Sequence, residues 1–218
     1  MNAHLPSPLV VYLMYAAVVL LQGPTATLIH HDALWTGIAL SQLGAIALPT
    51  TLVVWWRGYD WRTLFPLTRP TLAACVLIVI GTIGVAMLTH AGVEWTKLHF
   101  HTPPLLEDRI PELVTIHSFA DALFKFGVIG LLPAFIEEGF FRGFCQSALM
   151  PVYGGFSGCC IAALLFAVAH NNLAYLHLYF LLGLYLGLLR HYGRSLWWPI
   201  LAHAVNNGWT LYAKGIAT

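Results

Sequence analysis

The chain has 218 residues, 59% of them hydrophobic and 9% charged, with a mean hydropathy of +0.75 and a formal net charge of +1. An ordinary soluble domain carries about 25% charged residues, so this composition leaves too little polar surface to meet water and excludes a soluble globular domain. The near-zero charge also excludes the basic field that attracts nucleic acid.

An apolar run of about 18–25 residues can cross a bilayer as a helix, and only helices and closed barrels satisfy the backbone there. The runs here are too long for barrel strands. They predict spans near Pro8–Gly23, Ala33–Trp56, Leu72–His90, Ala120–Met150, Gly154–His170, Tyr175–His191 and Leu196–Ala213. The expected fold is all-α, a polytopic transmembrane helical bundle of about seven spans. It is read as a single membrane domain over residues 1–218, with N-terminal spans and a surface loop in 1–119 and the remaining spans in 120–218.

Met1 to Pro8 lacks the Lys or Arg of a signal peptide, so the first run is expected to be retained as a span. The fourth run contains Pro133, which predicts a short interfacial helix joined to a span beginning near that residue. Between spans three and four, Ala91 to Phe119 reads as a long connector. It holds Trp95, Phe100 and the charged cluster Glu107, Asp108, Arg109 and Glu112, and is either a lid lying along the membrane surface or a solvated loop. Cys75, Cys145, Cys159 and Cys160 all fall in apolar runs without metal-type spacing and read as packing residues.

Orientation follows from Lys and Arg alone. Arg57, Arg62 and Arg69 lie between spans two and three, and Arg190 and Arg194 between spans six and seven. Seven spans put both loops on one side, which is then cytoplasmic. Lys97, Arg109 and Lys214 fall on the other.

An ionisable side chain at the bilayer centre costs at least about 2.5–3.5 kcal/mol on insertion scales, so such residues are usually paired and functional. Three groups meet that description. In Glu137-Glu138-Gly139-Phe140-Phe141-Arg142, Glu138 and Arg142 lie one helical turn apart and can form a helix-stabilising ion pair. Glu137 points about 100° away and has no local partner. Phe166 to His170 ends the fifth span, where a histidine can equally serve as a C-terminal dipole partner. His203 and Asn207 share a face of the last span, where they can also act as interhelical hydrogen-bonding glue.

Taken together, a Glu, two His and an Asn on three spans can converge. Hydrolysing an amide needs a base to activate water and donors for the oxyanion. Glu137 in apolar surroundings suits the base, His170 can orient the water or relay its proton, and His203 with Asn207 can hold the oxyanion. The same Glu137, His170 and His203 can instead coordinate a Zn²⁺-like ion with an open position for water. Both schemes use the same atoms.

The motif set EExxxR, FxxxH and HxxxN on successive late spans resembles the CPBP family, which groups CAAX prenyl endopeptidases with bacteriocin-processing proteins. The resemblance covers Pro133 to Trp209. It implies a helical bundle enclosing a polar intramembrane cavity, with 120–218 as the catalytic core, and endopeptidase activity near the C-terminus of a membrane-associated or exported protein. By motif position Glu137 is the base, His170, His203 and Asn207 complete the site, Glu138 and Arg142 support it, and Phe166 packs the cavity. A glutamic-type mechanism is favoured over a metallopeptidase, because Asn207 supplies a neutral amide as oxyanion donor. The compact chain looks like prokaryotic members, so the expected setting is a prokaryotic inner membrane. The partners expected are the lipid bilayer and a protein substrate with a C-terminal tail or anchoring segment, and no nucleic acid. Two readings from other classes compete. One is a non-catalytic binding or immunity factor. The other, a transporter with intramembrane carboxylates, is disfavoured by the lack of repeat symmetry.

Overall fold

A computed structural model describes residues 4–29, 33–105 and 110–215. Glu107, Asp108 and Arg109 of the charged cluster lie outside the described residues. Within the described residues the chain is helical and without strands. We number the helices α1 (Pro8–Ile29), α2 (Leu34–Arg57), α3 (Trp61–Leu64), α4 (Leu72–His99), α5 (Phe119–Tyr153), α6 (Gly155–Ala169), α7 (Leu176–Gly193) and α8 (Trp197–Gly215).

By length and composition, α1, α2, α4, α5 and the helix ending at Gly193 can each cross a membrane. Helices α6 and α8 fall short for different reasons, and both reasons bear on the cavity. At 15 residues, α6 rises only about 22 Å, against about 30 Å of hydrocarbon. Its C-terminal neighbour His170 is therefore drawn into the depth of the bundle. Helix α8 is long enough, but His203, Asn206 and Asn207 lower its hydropathy.

Seven of the helices alternate in direction. The amide of Asp60 bonds the carbonyl of His4 at 3.0 Å, and that of Leu196 bonds Pro66 at 2.8 Å. Ser195 Oγ donates to the Thr68 carbonyl at 2.6 Å. The N-terminus and the two arginine-bearing loops thus meet at one end of the bundle. At that end Asp60 caps α3. The Thr63 hydroxyl and the Arg62 amide hold its carboxyl below the usual range. At the opposite end, Gly215 packs against the Val114 carbonyl, so the chain from Pro111 to Val114 sits over the C-terminus of α8.

Two expectations are corrected. The connector read as Ala91–Phe119 begins later, because α4 continues to His99. Its last turns are polar enough to leave the hydrocarbon yet remain helical. Glu94 and Lys97 pair at 3.2 Å, and Trp95 stacks on His99 at 4.5 Å. The fourth run is not broken at Pro133 but is one continuous helix of 35 residues. Pro133 has no N–H for the Ile129 carbonyl one turn earlier, and the chain preceding it, Phe126–Leu131, widens into π-helical turns. The strain is absorbed there and by a donor from α8.

The lid expectation fares differently along the loop. Leu113 and Val114 are buried and pack with Leu34, Ile38 and Leu211, so this stretch tucks between α2 and α8 rather than into solvent.

Candidate active site

Helix α5 carries the acids because its second π-helical stretch, Gly139–Gln146, follows directly on Glu138. Glu138 is fully buried. Its Oε1 accepts from Arg142 Nη1 at 2.8 Å, the one-turn pair that the spacing predicts, and from His203 Nδ1 at 2.7 Å. Arg142, equally buried, donates from Nη2 to the Gly183 carbonyl at 2.9 Å and lies over the Phe166 ring at 4.5 Å. That reach depends on Gly183, where an added Cβ would meet Phe166 and the Ala163 carbonyl at 3.1 Å. The guanidinium therefore joins α5, α6 and α7, while Glu138 joins α5 to α8. Paired in this way, the two charges offset part of the cost of each other's burial, while Glu138 Oε2 and Arg142 Nε have no hydrogen-bond partner among the described residues.

Phe166, fully buried, is the common floor. Its ring meets Phe141 edge-on at 5.3 Å, His170 at 4.5 Å and His203 at 6.0 Å. His170 caps α6, and its Nδ1 donates to the Phe166 carbonyl at 2.8 Å. Tyr179 of α7 stacks on its other side at 4.1 Å. The role of helix-end partner is thus realised in the structure, and it fixes the ring. Because a carbonyl can only accept, Nδ1 carries the hydrogen, and in the neutral ring Nε2 is an acceptor.

His203 is pinned in the same way through Nδ1, by a carboxylate instead of a carbonyl. Its Nε2 donates only when the ring is an imidazolium. Asn207, one turn on, donates from Nδ2 to the Ile129 carbonyl at 3.2 Å and lies 3.5 Å from that of Gly130. Ile129 is the carbonyl that Pro133 deprives of its ordinary donor. The carboxamide nitrogen thus serves both carbonyls of the π-helical turn of α5, the Gly130 contact being the longer.

This contact yields a prediction. Asn207→Ala should lower stability by about 1–3 kcal/mol, the cost of stranding a buried carbonyl. In a Pro133→Ala background the restored backbone N–H should make the same substitution cheaper. A double-mutant cycle of unfolding in detergent or lipid checks it, and strictly additive effects would show that Asn207 and Pro133 are not linked.

Glu137, Glu138's neighbour, turns to a different face and is half-buried. Its partner comes from α2, where Gln42 Nε2 donates to Glu137 Oε1 at 2.9 Å. Glu137, His170, His203 and Asn207 all line one cavity of about 370 Å³, within the size range of small-ligand sites. Gln42 and Tyr179 share that lining, and Leu113 and Val114 close its loop side. The four side chains read from the motifs are therefore brought together. Glu138, Arg142 and Phe166 lie behind them in the packed interior.

The Zn²⁺ alternative asks Glu137, His170 and His203 to approach as ligands. Among the described residues no three His, Cys, Asp or Glu side chains form a group that could hold a metal. The donor set as it stands does not fit the ion.

Gln42 and Tyr179 were missed in the sequence. Tyr179 carries no signal in an aromatic-rich span. Gln42 did carry one, a carboxamide in the middle of the apolar run Ala33–Trp56, where polar groups tend to have partners.

Fold and site together define a multi-span helical membrane protein whose acid, imidazole and amide side chains converge in a cavity between the helices. Residues 119–209 match the family model for type II CAAX prenyl endopeptidases, Rce1-like, in agreement with the resemblance read from the three motifs. The match spans α5 to Trp209 of α8 and leaves the first 118 residues outside. No curated protein and no solved structure matches the chain. The family implies a membrane protease acting on proteins with a C-terminal tail.

Proposed function

We propose that the protein is a glutamic-type intramembrane endopeptidase that cuts a peptide bond near the C-terminus of a membrane-associated or exported protein. The observation that carries this reading is the convergence of Glu137, His170, His203 and Asn207 on one cavity within the segment that matches the family.

The chemistry follows from the hydrogen-bond directions. A water attacks the scissile carbonyl carbon and gives its proton to the Glu137 carboxylate. His170, with its hydrogen committed to Phe166, accepts the second hydrogen of that water through Nε2 and so fixes its direction. Negative charge develops on the carbonyl oxygen and is held by Nε2–H of His203 in its imidazolium form and by an N–H of Asn207 turned from its long contact with the Gly130 carbonyl. As the C–N bond breaks, Glu137 returns its proton to the leaving amine, and the new carboxylic acid gives its remaining proton to that amine, so the products are a carboxylate and an ammonium.

The arginine-bearing loops Gly58–Thr71 and Arg194–Leu196 share one end of the bundle, which the positive-inside rule makes cytoplasmic. The cavity is bounded by Leu113 and Val114 from the other end. On this reading the site opens to the non-cytoplasmic side and trims exported proteins held by a C-terminal helix, in a prokaryotic inner membrane.

The test uses purified protein in lipid vesicles with two synthetic probes, a farnesylated CAAX tail peptide and an unmodified C-terminal tail peptide. Mass spectrometry should find a single internal cut in at least one probe, unchanged by a chelator. Activity lost to chelation and restored by added metal would contradict the glutamic assignment. Asn171→Cys, beside His170, should label with an impermeant thiol reagent from the non-cytoplasmic side; cytoplasmic labelling would reverse the orientation.

A further inference from the structure

We infer that Gln42 is a positioning residue for Glu137, holding its carboxylate in the orientation from which it takes a proton from water; this rests on the assignment of Glu137 as the base. Gln42 sits on α2, outside the segment that matches the family, and none of the three motifs points to it. It is buried, lines the same cavity as Glu137, and its Nε2 lies 2.9 Å from Glu137 Oε1. A carboxylate only accepts, so the amide nitrogen is the member of the pair that faces it.

One feature separates this contact from ordinary helix-to-helix adhesion: α2 widens into π-helical turns over Leu40–Ala47, around this residue. Such a local rewinding re-aims side chains and recurs at functional sites. The result is a donor from outside the three motifs fixed on one oxygen of the base. A carboxylate held on one oxygen cannot spin freely, so its second oxygen meets the water in a defined direction.

Gln42→Met keeps the length of the side chain and deletes the donor, and Gln42→Glu keeps its shape and replaces the donor by an acceptor. With the farnesylated tail peptide, both variants should lose about 10- to 100-fold in kcat, the worth of a charge-assisted hydrogen bond. KM and, in Gln42→Met, the thermal midpoint should hardly move, as a loss confined to packing would not allow. A second measurement needs no turnover. Dicyclohexylcarbodiimide enters apolar sites and modifies carboxyls, and an oxygen released from the Gln42 amide is freer to react with it. Peptide mapping should therefore find Glu137 of either variant modified several-fold faster than in the wild type at neutral pH. Wild-type kcat together with wild-type labelling would overturn the role of Gln42. Failure of the base assignment would look different: Glu137→Gln would cut the peptide normally, while the labelling experiment would still report the contact between Gln42 and Glu137.

Discussion

Glu137→Gln should lower the rate of peptide cleavage by about 10²–10⁴-fold, the range that a general base contributes, and leave the fold untouched. The two halves of that expectation come from different observations. Glu137 is half-buried and its hydrogen-bond partner is Gln42. A glutamine at 137 keeps the volume and can still accept from that amide, so thermal unfolding in detergent should shift little. What it cannot do is take up a proton from water and return it to the leaving amine. KM for a tail peptide should stay near the wild-type value, because the loss falls on the transition state. If the protein were a binding or immunity factor, the same variant would retain its phenotype. Turnover at the wild-type rate would remove Glu137 from the mechanism.

Arg142→Met should have the largest effect on stability. It strips a buried carboxylate of its cation and leaves Glu138 with the His203 imidazole as its remaining side-chain partner. Removing one member of a buried ion pair costs about 3–5 kcal/mol, and here the Gly183 contact and the stacking on Phe166 go with it. The control is the double variant Glu138→Gln with Arg142→Met, in which the carboxylate and the guanidinium are removed together, so it should recover part of the loss. Unfolding by denaturing detergent, followed by loss of helical circular dichroism, compares the three proteins. An Arg142→Met variant as stable as wild type would mean that the pair does not hold α5 to its neighbours.

Helices and site were legible in the sequence to different depths. The bundle could be read because apolar runs of bilayer length have few alternatives, and the site because polar residues in those runs cost too much to be incidental. Contacts between distant segments were not legible. Pro133 reads as a helix break because local rules make it one, but the donor that sustains the helix is Asn207, 78 positions from the carbonyl it serves. The pair Glu138 and Arg142 followed from spacing, whereas the bond from His203 that turns the pair into a triad did not. The extension of α4 through Glu94 to His99 was hidden by its polarity, which marks the end of the hydrocarbon and not the end of the helix. Gln42 was visible as an oddity in an apolar run, but only the structure shows which acid it meets.

A single turnover in water enriched in oxygen-18, with the products and the enzyme's own peptides analysed by mass spectrometry, bears most directly on the proton-abstraction role of Glu137. A carboxylate that activates water should place one heavy oxygen in the newly formed C-terminal carboxylate of the substrate and none in Glu137. Heavy oxygen recovered in the Glu137 side chain would reveal a covalent acyl intermediate and contradict the mechanism.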